Sequence, residues 1–121
     1  MHFMNKILVV DDDLDILSLV KIMLTMNHFN VEAISRWEEI DTRMHDFKPD
    51  LVLLDVSLGD ADGRDICKQM RRAKETAEIP VILFSANAEM GKCIDDCCAQ
   101  AFIPKPFELS HLINTIKTYL N

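Results

Sequence analysis

No stretch of this sequence stays apolar for the roughly 20 residues that a membrane-spanning helix needs. Met1 to Lys6 lack the basic-then-apolar layout of a secretory leader, so the chain reads as cytoplasmic, with no membrane partner. Basic residues are in the minority, 13 Lys and Arg against 20 Asp and Glu, for a net charge of −7. That balance leaves no basic stripe for a phosphate backbone, so direct nucleic-acid binding is not expected. The four cysteines (Cys67, Cys93, Cys97, Cys98) and the scattered histidines (His2, His28, His45, His111) do not fall at zinc-ligand spacing. They read as buried thiols outside any metal framework and as isolated imidazoles. Repeats, low-complexity tracts and linkers are missing too. A chain of 121 residues can bury one core but not two, so a single domain over 1–121 is expected, with no output domain in this chain.

What is present centres on Pro49 to Gly63. Leu51 to Leu54 are consecutive aliphatics, the pattern of a strand buried on both faces in a parallel sheet. The run ends in Asp55 and a polar loop carrying Gly59 and Gly63. In open α/β sheets, ligands sit outside the carboxyl ends of the strands, where an acid escapes the heavy cost of burial inside one.

In chain order, Lys6 to Val10 predict a strand running into Asp11, Asp12 and Asp13. A helix follows on Ile16, Leu17, Val20 and Leu24, with Asp12 or Asp13 as cap and Asn27 or His28 as stop. Val31 to Ile34 are a strand, and Ser35-Arg36-Trp37-Glu38 has the form of a capping box opening a helix towards His45. After Asp55, Ile66, Cys67 and Met70 give a third helix its buried face, with Arg71, Arg72 and Lys74 in a solvated tail. A fourth strand around Ile79 to Phe84 ends in Ser85, and a fourth helix over roughly Glu89 to Ala99 rests on Ile94, Cys97 and Cys98. Ala101 to Pro104 form a fifth strand ending in Lys105, and Leu109, Leu112, Ile113, Ile116 and Leu120 make the stripe of the last helix. Five alternations of strand and helix predict a doubly wound five-stranded parallel sheet, flavodoxin-like order 2-1-3-4-5, with helices on both faces. The switch point of that order lies between the strands ending in Asp11-Asp12 and in Asp55.

Carboxylates crowded at one mouth repel unless a cation sits among them, and an all-oxygen site suits Mg²⁺. Ser85 and Lys105 end neighbouring strands on the same rim. Metal, ammonium and hydroxyl converging on a carboxylate make a site for phosphoryl transfer, with Asp55 as nucleophile. Taken singly, Asp11 to Asp13 read as a charged helix start, Ser85 as a turn residue and Lys105 as a surface charge. Their order, each at the end of its own strand, points beyond those readings.

The run Ile7 to Asp13, the loop from Asp55 to Gly63, Ser85-Ala86 and Lys105-Pro106-Phe107 resemble a bacterial response-regulator receiver domain over nearly the whole chain. The resemblance implies Asp55 as phosphoacceptor and Asp12 as a direct Mg²⁺ ligand. Asp11 would act through metal-bound water, and Asp55 and the Ser57 backbone carbonyl would complete the metal set. It further implies that Ser85 and Lys105 engage the phosphoryl group, that the Lys105-Pro106 bond is cis, and that Phe102 is the aromatic switch residue. Two positions depart from the family pattern: Gly59 stands where proline is usual, which suggests a more mobile loop, and Cys98 where glycine is usual.

The resulting expectation is a signalling domain that takes a phosphoryl group from a histidine kinase or histidine phosphotransfer protein. It would catalyse only its own phosphorylation and slow dephosphorylation, and would dock a partner or dimerise through the fourth helix, fifth strand and fifth helix. The alternatives are a Mg²⁺-dependent haloacid-dehalogenase-type phosphatase, for which Asp11-x-Asp13 formally fits, and a receiver-like interaction domain that is never phosphorylated.

Overall fold

The structure, a computed structural model, describes residues 4–87 and 99–120. Five parallel strands form its sheet: β1 (Lys6–Val10), β2 (Asn30–Ile34), β3 (Leu51–Asp55), β4 (Val81–Ser85) and β5 (Ala101–Pro104). Their order is β2-β1-β3-β4-β5, the flavodoxin-like order expected from the alternation of elements. β3 pairs with β1 on one side (Ile7 opposite Leu51) and with β4 on the other (Val52 opposite Val81). Every residue of β3 is buried, which is why its sequence is continuously aliphatic rather than alternating.

The period of two along each strand divides the core into two layers. Ile7, Val9, Leu51, Leu53, Ile82, Phe84 and Ile103 face helix α1 (Leu14–Met26) and helix α4 (Leu109–Tyr119), meeting Leu17, Val20, Leu24, Leu112, Ile113 and Ile116. Leu8, Val10, Val52, Leu54 and Leu83 face α2 (Ile40–Phe47) and α3 (Gly63–Arg72), meeting Ile40, Met44, Phe47, Cys67 and Met70. Each such side chain contributes about 1.5–3 kcal/mol by leaving water, so the sheet ends are held rigidly.

Local signals explain the element boundaries. Asp13 caps α1 by accepting from the amides of Asp15 and Ile16 at 3.0 and 3.2 Å, and His28, with φ 70°, supplies the left-handed turn after it. The capping box does not form. Arg36 is extended and makes no side-chain cap, and a 3₁₀ turn (Trp37–Glu39) leads into α2 instead. The Trp37 ring packs on the α2–α3 layer and its indole N–H is engaged elsewhere, so the chain enters tightly rather than through Ser35. Arg71 corrects a second expectation. It turns back from the solvated side and donates to the carbonyls of Ile79 at 2.7 Å and Ala77 at 3.3 Å and to Gln100 Oε1 at 2.6 Å. The turn before β4 leaves carbonyls that need donors, and Arg71 provides them. Leu109 leaves its stripe and is exposed, lying at the first turn of α4. The predicted fourth helix, with Cys93, Ile94, Cys97 and Cys98, lies outside the described residues.

Candidate functional site

β1 and β3 are neighbours and end on the same edge, with Val10 opposite Leu54, so Asp11 and Asp55 emerge side by side. Asp11, Asp55 and Ser85 are the buried polar or charged residues among those described, and all three follow or end central strands. Lys105 follows β5, where its backbone amide donates to the Ser85 carbonyl at 2.8 Å. From there its Nζ donates to Asp11 Oδ2 at 2.8 Å, lies 3.5 Å from Asp55 Oδ2 and sits 4.5 Å above the Phe84 ring. Backbone amides hold the acids in place: Asp13 N–H donates to Asp11 Oδ1 at 2.9 Å and Ser57 N–H to Asp55 Oδ1 at 3.3 Å.

Asp12 completes the group from the exposed side. Carboxylate oxygens of Asp11, Asp12 and Asp55 lie within 4.8 Å of one another. Three carboxylates and one ammonium leave two negative charges uncompensated, and the donors are all oxygen. A divalent, oxygen-preferring cation fits that set. Without one, burial pushes the Asp55 carboxyl up to about 7, and the contact with Asp11 adds to the rise against the pull of Lys105 and the Ser57 amide.

The loop after β3 folds as a two-stranded hairpin, Ser57–Leu58 against Ala61–Asp62, before α3 begins at Gly63. Gly63 donates its N–H to the Val56 carbonyl at 2.8 Å, and a Cβ on it would collide with the Asp55 backbone carbonyl. Glycine here lets α3 start directly behind Asp55.

Residues 7–117 match the response regulator receiver domain family. The chain belongs to that family. Among curated relatives, the DNA-binding dual master transcriptional regulator RpaA of Synechocystis is 31% identical over 119 residues, covering 97% of this chain and 49% of the relative. The transcriptional regulatory protein CpxR of Escherichia coli K12 is 36% identical, covering 97% and 50%. The receiver thus spans about half the length of these relatives. In fold it is similar to the chemotaxis response regulator CheY4 of Vibrio cholerae, with a TM-score of 0.89 at 22% identity, covering 98% of this chain and 100% of that one.

The structure brings Asp11, Asp12, Asp55 and Lys105 of the receiver together. Ser85 stands next to Phe84, the register partner of Asp55, and its Oγ accepts the Asn87 amide at 3.1 Å. Ser57 lies in the hairpin, and Phe102 is half-buried in β5 opposite Leu83. The Lys105-Pro106 bond is cis. The phosphatase alternative needed Asp13 at the mouth, but that carboxylate is occupied capping α1. The close approach of Gly63 to Asp55 has one signal in the sequence, a glycine opening a helix, whereas the contact between Trp37 and Asp60 has none.

The Asp55 shift carries a consequence for stability. An unfolded aspartate titrates near 3.9, so between about pH 4 and 7 the native state binds the extra proton. Stability therefore falls as pH rises through that window, and the cost is fully present above pH 7. In metal-free buffer at pH 8, Asp55→Asn should melt higher than wild type by roughly 3–6 °C per kcal/mol relieved, about 1 kcal/mol or more in all. The gap should close by pH 5. A pH-independent gap in thermal unfolding would contradict this origin for the shift.

Proposed function

We propose that this receiver accepts a phosphoryl group on Asp55 from the phosphohistidine of a histidine kinase or histidine phosphotransfer protein in the cytoplasm. The observation that carries the reading is a buried nucleophilic carboxylate with Lys105 3.5 Å away and two further acids beside it. A carboxylate oxygen of Asp55 attacks phosphorus, the P–N bond breaks, and the electron pair leaves with the imidazole, which keeps or regains its proton. Asp11, Asp12, Asp55 and the Ser57 carbonyl would hold Mg²⁺, which would neutralise charge on the phosphoryl oxygens as the new bond forms. Lys105 would turn from Asp11 to a phosphoryl oxygen, a short movement for an ammonium already between the two acids. The hydrophobic surroundings of Asp55 exclude bulk water and strengthen each of these contacts.

Two features support the encounter with a donor. Helix α1 starts at the acidic mouth and exposes Leu14, Leu19, Ile22 and Met26, an apolar surface beside the site. The net charge of −7 favours a basic partner surface. For output, the Ser85 hydroxyl would be drawn to the new phosphoryl oxygens, vacating space into which Phe102 rotates. The face so altered comprises β5, α4 and the predicted fourth helix, and it would dock a partner or a second copy.

Acetyl phosphate with Mg²⁺ should add one acid-stable, base-labile phosphoryl group, and Asp55→Asn should abolish it; unchanged labelling of the variant in intact-mass spectra would end this assignment. Ser85→Ala should still accept the group, yet show amide shifts around Phe102 reduced to about half or less on adding beryllofluoride, an aspartyl-phosphate mimic. Full-size shifts in the variant would rule out the hydroxyl as the coupling element.

A further inference from the structure

The hairpin after Asp55 is bonded from outside at both residues of its turn. Gly59 N–H donates to Asp12 Oδ2 at 3.0 Å, and Trp37 Nε1–H donates to Asp60 Oδ1 at 2.9 Å. Gly59 occupies the first central position of a two-residue turn with φ 62°, a conformation that glycine adopts without strain. Proline, usual here in the family, could neither reach that φ nor donate the amide. The departure noted in the sequence thus supplies a bond in place of a ring. Trp37 anchors the other side: its ring packs against the core layer of α2 and α3, and its indole reaches across 23 positions of sequence to Asp60.

We propose that Trp37 is a positioning residue for the metal site, acting through Asp60 and the Gly59 amide on the carboxylate of Asp12. This rests on the reading of Asp12 as a metal ligand. A ligating carboxylate with one oxygen held by an outside donor keeps its orientation, and loss of such partners commonly costs about 10–100-fold in affinity. Trp37 acts one step further out, through the turn, so its effect is smaller than that, about threefold or more. Asp60 follows Gly59 directly in the two-residue turn, so the side-chain bond that fixes Asp60 also restrains the neighbouring Gly59 amide. The Trp37–Asp60 bond is exposed to solvent.

Asp60→Asn and Asp60→Leu remove the same charge, but only asparagine keeps an acceptor at Oδ1. Mg²⁺ affinity, measured by calorimetry on the full chain, should be at least about threefold weaker for Asp60→Leu than for Asp60→Asn. Trp37→Phe, which keeps a ring in the core and loses the N–H, should bind at least about threefold more weakly than wild type while melting normally without metal. Trp37 is the single tryptophan of the chain, so its emission reports on the same contact. In wild type it should change along the Mg²⁺ binding isotherm, and in Asp60→Leu that response should be lost. Equal affinities for the two Asp60 variants, or an unmoving Trp37 emission while calorimetry shows metal binding, would overturn the proposal and leave the metal site standing. Absence of saturable Mg²⁺ binding in wild type would overturn both.

Discussion

Mutual repulsion among carboxylates at one end of the sheet is the constraint to which the rest of the structure answers. Asp11 and Asp55 are buried, Asp12 stands beside them, and Lys105 is the cation placed among them. An isolated buried carboxylate is costly, and several sharing a site cannot all ionise comfortably around one ammonium. The fold tolerates the arrangement because five strands and two packed layers hold the ends of β1, β3 and β5 where they are. The cluster is therefore a standing cost to the fold, one that a cation bound among the acids would relieve.

The same constraint explains the accessory contacts. Lys105 is steered by the β5 register and the Phe84 ring, and Phe107 packs edge-on against Phe84 with centroids 6.3 Å apart, steadying the segment that carries it. Gly63 brings α3 up behind Asp55, and Asp13 spends its carboxylate on the cap of α1 rather than adding a fourth charge to the cluster. The departure at Gly59 acquires a physical meaning in this setting. Its amide gives Asp12 a donor that a proline could not supply.

Much of this was legible before any coordinates, and the reason is burial on both faces. β1 and β3 are continuous aliphatic runs because both layers pack on them, and each ends abruptly in acid. The positions of Asp11, Asp12 and Asp55 followed from those runs, and those of Ser85 and Lys105 from the apolar runs of β4 and β5. Contacts set by tertiary geometry were not legible. The Ser35 to Glu38 pattern satisfied a capping box, yet the packing of Trp37 imposed a 3₁₀ entry; Arg71 looked solvated because the groups it serves, the Ala77 and Ile79 carbonyls and the Gln100 side chain, lie further along the chain. Trp37 and Asp60 meet only because β2 and β3 deliver their loops to one edge of the sheet, and no local periodicity encodes that.

The strain among Asp12 and its neighbours is what a divalent cation bound there would relieve. Thermal unfolding of wild type and Asp12→Ala, each with and without Mg²⁺, tests this directly. Metal that binds only the native state stabilises it, by about 2.7 kcal/mol at a hundredfold excess over Kd, so the wild-type midpoint should climb with Mg²⁺ concentration. The variant should start no lower than wild type, having lost one repelling charge, and should hardly respond to the metal. Equal Mg²⁺-induced shifts in the two proteins would contradict the account.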